Sequence, residues 1–280
     1  MSAATPTFTW RRPTAMPGFG IALGFTLFYL CLLVMIPLGA LVLKTAGLGW
    51  GGFWKIAMDP RVFAALKLSF GASLAAAVIN VAFGLPVAWV LVRYRFPGRR
   101  LLDAFVDLPF ALPTAVAGIS LAALYAPNGW IGAIAPFKIA YTPLGVIVAL
   151  TFVGLPFIVR TLEPVLEDLD REPEEAAATL GATRGQTFRA VVLPAIVPAL
   201  LTGFALALAR AVGEYGSVIF IAGNIPFVSE IAPLLIVIRL QEFNYAGATA
   251  VGTIMLAISF ALLFLINLIQ TWSRRKYGAQ

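Results

Sequence analysis

The stretch LSFGASLAAAVINVAFGLPVAWVLV, Leu68 to Val92, runs for 25 residues without a charge. A helix rises 1.5 Å per residue, so about 20 apolar residues cover the hydrocarbon core of a bilayer. This stretch therefore predicts a membrane-spanning helix. Working outward, Pro13 to Leu43, Leu108 to Phe137, Ile139 to Val159 and Phe243 to Ser273 are also uncharged. Ala190 to Ala222 is interrupted only by Arg210 and Glu214. Six runs are thus long enough to cross. The tail of the third, Ala126 to Phe137, carries Pro127, Asn128, Gly129, Gly132 and Pro136 and reads as a loop. Ile231 to Ile238 is apolar between Glu230 and Arg239 but too short to cross, which predicts a re-entrant or surface helix.

The composition agrees. Of 280 residues, 60% are hydrophobic and 12% charged, about half the charged share of soluble domains. This excludes an ordinary soluble globule and a disordered chain. There are no histidines, which excludes His-based triads, HExxH zinc sites and His proton relays in this chain. The one cysteine, Cys31, lies inside an apolar run and reads as a small apolar filler. No intrachain disulfide, cysteine metal cluster or metal site is expected.

Arg11 and Arg12 precede the first run, as in a secretory signal, but its apolar core is about twice the 7–15 residues of such a signal. It reads as a retained first span. The expected spans are approximately residues 20–43, 66–92, 104–126, 143–160, 195–222 and 244–271, in one membrane domain over residues 1–280. A cytoplasmic loop falls at about 161–194. The net charge of +7 is distributed unevenly. Thirteen basic residues, among them Arg93, Arg95, Arg99, Arg100, Arg160, Arg171, Arg184 and Arg189, fall on the side that holds both termini. Six fall on the other: Lys44, Lys55, Arg61, Lys67, Lys138 and Arg239. That bias places both termini in the cytoplasm and explains the basic balance without nucleic acid.

The loop after the fourth span holds seven of the 13 acidic residues between Glu163 and Glu175. A solvated loop is the ordinary reading of such a run. The detail asks for more. Pro173 suits a first helical turn, and Glu174 and Glu175 favour its positive end. Ala176, Ala177 and Leu180 make one small apolar face, and Gly181 stands where a helix ends. A helix of about two turns is unstable alone in water, so it should dock on something. Thr183 and Gln186 have capping-box spacing and should start a further helix, with the chain bending into the membrane at Leu193-Pro194.

Glu175-Ala176-Ala177, Gly181 four residues on, then Val191-x-Leu193-Pro194 resembles the EAA motif of binding-protein-dependent ABC importer permeases, with Val191 in place of isoleucine. The resemblance implies an all-α polytopic membrane protein with the type I permease fold. Its EAA segment would be a coupling helix seated in a cleft of an ATPase subunit, with Glu175, Ala176, Ala177, Leu180, Gly181 and Arg184 at the contact. Arg93-Tyr94-Arg95-Phe96-Pro97-Gly98-Arg99, Leu108-Pro109-Phe110-Ala111-Leu112-Pro113-Thr114 and Gly213-Glu214-Tyr215-Gly216 with Ala222-Gly223-Asn224-Ile225-Pro226 look like the molybdate and sulfate branch. Glu230-Ile231-Ala232-Pro233-Leu234-Leu235 and Glu242-Phe243-Asn244-Tyr245-Ala246 look most like the T-type permeases of sulfate/thiosulfate importers. The implied partners are a second, W-type permease, two copies of an ATPase holding ATP and magnesium, and a periplasmic sulfate- or thiosulfate-binding protein. The implied location is a bacterial inner membrane. A molybdate or tungstate permease of the same family is the alternative.

The chain contains no Gly-Lys pair, so no GxxxxGK[ST] loop exists and the chain is not the ATPase. Gly213-Glu214-Tyr215-Gly216-Ser217 does not have GxSxG spacing, although an intramembrane protease with a Ser–Lys pair is not ruled out by composition. A passive anion channel leaves the EAA segment without a role. Arg210 and Glu214 are four apart in the fifth run, on one helix face. Intramembrane charges are costly and are paired or functional. The two pair to fix helix packing, or Arg210 faces a path for a divalent oxyanion. Ser217 and Asn224 follow on roughly the same face and offer neutral hydrogen bonds to an anion or to neighbouring helices. Weak donors suit a conduit, since a strong site hinders release. Gly20-x-x-x-Gly24 is a weak helix-packing motif, Trp50, Trp54 and Trp272 read as interfacial anchors, and Pro86, Pro109 and Pro113 should kink their spans.

Overall fold

The structure, a computed structural model, describes the backbone of residues 18–277 and the side chains of residues 18–271. Arg11 and Arg12, and the side chains of Trp272, Arg274, Arg275 and Lys276, lie outside the described residues. The order is α1 (Phe19–Ala46), α2 (Gly49–Ala57), α3 (Pro60–Arg93), α4 (Arg99–Ala111), α5 (Thr114–Tyr125) and α6 (Pro143–Glu167). Then follow α7 (Glu172–Thr179), α8 (Arg184–Val212), α9 (Val218–Ile221), α10 (Ala232–Gln241) and α11 (Tyr245–Tyr277). Five of these are long and apolar enough to cross a membrane, and six spans result if α4 and α5 count as one.

Local chemistry sets the ends. Asp59 caps α3 by accepting from the Arg61 N–H at 2.8 Å, with Pro60 in the first turn. Thr142 caps α6 through the Leu144 N–H, with Pro143 following. In α1 a π-turn over Cys31–Met35 precedes Pro37, and in α8 another over Phe188–Val192 precedes Pro194. A proline removes a donor and crowds the carbonyl four residues back, and a widened turn relieves both. The helix therefore runs on through Leu193-Pro194 as one element, Arg184–Val212, in place of the expected bend.

The core is a three-helix body of α3, α6 and α8. At one end Ala88, Leu91, Ile158, Val159, Leu162, Leu166, Val192 and Ile196 interlock. At the other, Ala72, Ala76, Val146, Ala149 and Leu150 pack with Ile221 of α9 and Ile231 before α10. The small residues of α3 let its neighbours approach closely, which is how helices associate where lipid removes the hydrophobic drive between them. α11 lies beside α8 and α10, with α1 outside it.

Several expectations are corrected. The third span, expected at 104–126, is two helices bent by 113° at Leu112-Pro113. Leu112 is extended, as the residue before proline tends to be, and Pro113 cannot donate, so the chain breaks where a kink was expected. The fifth, expected at 195–222, begins earlier at Arg184 and ends at Val212. There the Glu214 carboxylate accepts from the Ser217 N–H, drawing the backbone out of the helix at a glycine-flanked position. α6 continues to Glu167, so the segment 161–194 is more helical than expected. Cys31 is exposed and fills no core. Gly20 and Gly24 are exposed, and among the described residues nothing lies within 4 Å of a Cβ built on either.

Candidate coupling helix and translocation path

Glu172, Glu174 and Glu175 occupy the first turn of α7, with Pro173 beside them, as the helix dipole favours. At its other end the Gly181 N–H bonds the Ala178 carbonyl and the Ala182 N–H bonds the Ala177 carbonyl, both at 3.0 Å. That is a Schellman cap, and it requires the left-handed φ of 83° found at Gly181. Thr183 and Gln186 then form the anticipated capping box at the start of α8. α7 contains no buried residue, and Leu180, at its end, is 88% exposed. An isolated two-turn helix with a bare leucine gains nothing from its own chain's core.

One contact the sequence did not disclose ties α7 to the body. Arg93, the last residue of α3, donates to Glu174 at 2.7 Å. Its guanidinium also lies 5.2 Å over the Trp89 ring, and Trp89 meets Phe188 of α8 edge-on at 6.0 Å. Arg93 stood among the basic residues of one side and Glu174 among the acids of a loop; 81 residues separate them. Nearby, Arg160 of α6 donates to both carboxylate oxygens of Asp107 (2.8 and 2.6 Å), to Asp103 (2.7 Å) and to Glu163 (2.6 Å), holding α4 against α6. One cation faces three carboxylates, a network stronger than an isolated surface pair.

Of the path candidates, Arg210, Glu214 and Ser217 come together and Asn224 does not. Arg210 is ion-paired with Glu214 even though Glu214 lies beyond the helix end. Glu214 is 3% exposed, and its Oε1 accepts from both the N–H and the hydroxyl of Ser217 at 2.9 Å. The carboxylate is thus paired and hydrogen-bonded, as burial demands. Asn224 has a left-handed φ of 55° and its amide donates to the Ile219 carbonyl at 2.9 Å, closing a turn.

The two breaks abut. A Cβ on Gly118 of α5 would lie 2.3 Å from the Ser217 carbonyl oxygen, and one on Gly216 would lie 2.2 Å from the Thr114 hydroxyl. Only glycine permits either approach. Discontinuous helices of this kind line substrate paths in transporters, where irregular backbone is tolerated only against protein or water. On the far side from α7, Glu230, 2% exposed, accepts from Arg61 at 2.8 and 2.7 Å, and Asp59 accepts from Arg239 at 3.2 Å. The Ser69 hydroxyl accepts from the Ala232 N–H at 2.8 Å. These contacts clasp α10 to the start of α3, and they too were missed, because each joins positions at least 163 apart.

The profile of the family described as "Binding-protein-dependent transport system inner membrane component" matches residues 80–278. The chain belongs to this family. Among its relatives, the "Sulfate transport system permease protein CysT" of Salmonella typhimurium is 51% identical over 267 residues, covering 94% of this chain and 96% of that protein. The protein of the same description from Synechococcus elongatus is 53% identical over 257 residues, covering 91% and 92%. Among solved structures, a bacterial alginate ABC transporter, in complex with its alginate pentasaccharide-bound periplasmic protein, contains a chain that superposes with a TM-score of 0.74. It shares 18% identity and covers 92% of this chain and 94% of its own. A chain of the MetNI methionine ABC transporter in an inward-facing conformation superposes with a TM-score of 0.56 at 23% identity, covering 77% and 95%. The all-α, multi-pass fold of an ABC importer permease is therefore that of this binding-protein-dependent permease. Its relatives are transport permeases, so the protease reading has no support.

Proposed function

We propose that this permease is the T-type subunit of an ATP-driven importer that moves sulfate or thiosulfate from periplasm to cytoplasm. The observation that carries the coupling role is α7, a preformed, Schellman-capped helix that buries nothing of its own chain and presents Leu180 bare. The anion is supported by relatives described as sulfate permeases at about half identity across nearly the whole chain. The working assembly pairs this chain with a W-type permease, two ATPase copies and a periplasmic binding protein. Both termini and α7 lie in the cytoplasm, as the basic bias favours. ATP and magnesium reside in the ATPase, since this chain has no phosphate loop.

The geometry supports a mechanical route. α3 has 34 residues, a rod of about 50 Å. Its Arg93 end holds α7 through Glu174, and its Arg61 end holds Glu230 before α10. α8 joins α7 through the short Gly181–Thr183 turn and ends at the Gly213–Ser217 break. Closure of the ATPases moves α7, and α3 and α8 carry that displacement to the breaks and to α10 as rigid elements. Arg210, neutralised by Glu214, offers the passing dianion a weak field rather than a trap.

The test is labelled sulfate uptake in cells that lack their own sulfate permease and express this chain with its neighbours. Uptake that requires the ATPase and is competed by thiosulfate is expected. Uptake that persists without the ATPase, or that carries molybdate in place of sulfate, overturns the reading.

A further inference from the structure

We infer that the loop joining α3 to α4 binds the phosphodiester of an anionic phospholipid. Arg95, Phe96, Gly98, Arg99 and Arg100 line a cavity of about 330 Å³ beside the end of α3. Among the described residues, Arg61, Arg93, Arg160, Arg210 and Arg239 each face a carboxylate. Arg95, Arg99 and Arg100 form no ion pair with a described residue, as is also true of Arg171, Arg184 and Arg189, but these three line one cavity. The cavity lining holds three arginines and no carboxylate, and a phosphate group offers such guanidiniums a bidentate fit. The first turn of α4 adds to it, because no side chain caps its N–H groups.

The neighbourhood selects the source of the phosphate. On α4, Asp103 and Asp107 bond Arg160 of α6, while Leu101, Phe105 and Leu108, at i, i+4 and i+7, form an exposed apolar face. α4 meets α5 at 113°, so it departs from the direction of the adjoining helix as an interfacial helix does. A free anion would neutralise the cavity and leave that face bare. An ATPase surface would meet the arginines but would have to cover an apolar stripe. A phospholipid fills both, with its phosphodiester among the arginines and its acyl chains along Leu101, Phe105 and Leu108. Generic attraction of basic loops to anionic membranes needs no cavity; this site would be saturable and headgroup-selective.

The assembled transporter, purified in detergent, is titrated with dioctanoyl phosphatidylglycerol, dioctanoyl phosphatidylcholine or inorganic phosphate while its thermal unfolding midpoint is followed. A saturable upward shift with phosphatidylglycerol alone is expected. Replacing Arg95, Arg99 and Arg100 by Gln should weaken the apparent affinity roughly fivefold per arginine removed. The single variant Arg100→Gln, at an exposed position, serves if the triple variant does not assemble, and should show one such step. Replacement of all three by Lys keeps the charges but loses the bidentate fit, and its affinity should fall between those of the unaltered protein and the Gln variants. An equal shift with phosphatidylcholine overturns the proposal, as does displacement of phosphatidylglycerol by inorganic phosphate or an unchanged affinity in the Gln variants. Loss of the ATPase from the Gln variants with the lipid response intact would assign the loop to the ATPase instead.

Discussion

Gly181→Asp isolates α7, the proposed coupling helix, from the fold. Gly181 has φ 83°, and a Cβ there would meet no atom within 4 Å, so the substitution causes no clash. Its cost is conformational. Holding an L-residue in the left-handed region costs about 1–2 kcal/mol. A carboxylate at a helix C-terminus adds roughly 0.3–1 kcal/mol against the dipole. α7 is tied to the body by the largely buried Arg93–Glu174 pair, and no residue of α7 itself is buried. The strain therefore falls on the end of α7 and its turn into α8, while the α3–α6–α8 core is untouched. Gly181→Asp should leave the amount of membrane-inserted permease near normal, yet reduce ATPase co-purification or uncouple ATP hydrolysis from sulfate uptake. Gly181→Asn, whose side chain tolerates left-handed backbone, should keep most of the coupling, with Gly181→Ala between them. Full uptake and a full ATPase complement in the Asp variant, or an Asn variant as damaged as the Asp variant, would refute the reasoning.

Other outcomes follow from the same structure. Leu180→Ala should preserve permease abundance and weaken ATPase co-purification, because Leu180 contacts no core of its own chain. Arg61→Ala leaves the Glu230 carboxylate buried and unpaired, and should cost about 3 kcal/mol, read as lower permease abundance and greater protease sensitivity between Phe227 and Glu230. Arg210→Ala strands the buried Glu214 and should lower assembled complex, while Arg210→Ala with Glu214→Gln should recover it; a shortfall in uptake at normal assembly in the double variant would assign Arg210 a role in the path. A reporter fused after Gly129 should be periplasmic and one after Glu172 cytoplasmic, and the reverse for Glu172 would invert the proposed topology.

Much of this protein was legible from local sequence, for physical reasons that can be named. Uncharged runs of about 20 residues permit little in a bilayer except helices, because every backbone group must be satisfied within the segment. Thr183 with Gln186, and Gly181, act within a few residues of themselves, so the start of α8 and the end of the short α7 followed from spacing. The pairing of Arg210 with Glu214 was one of two readings left open by their spacing, and the structure brings the two together. What spacing misjudged was the helix around them, since Glu214 takes the Ser217 N–H and ends α8 where an apolar run suggested continuation.

The tertiary structure alone decided the contacts that join distant segments. Leu112-Pro113 announced a kink, but a 113° break depends on what the two arms pack against, Phe110 on Phe157 of α6 and Gly118 on Ser217. Arg93 with Glu174, Arg160 with Asp107 and Arg61 with Glu230 are chosen among many oppositely charged residues by helix packing, 53 to 169 positions apart. Likewise, the sequence counts Arg95, Arg99 and Arg100 as three more basic residues on one side, and only the folded loop shows that they share a cavity with no carboxylate in it. Hydrophobic runs and caps are short-range and written residue by residue. The choice of ion partner is not, because a charge is satisfied by whichever opposite charge the packed helices bring within reach.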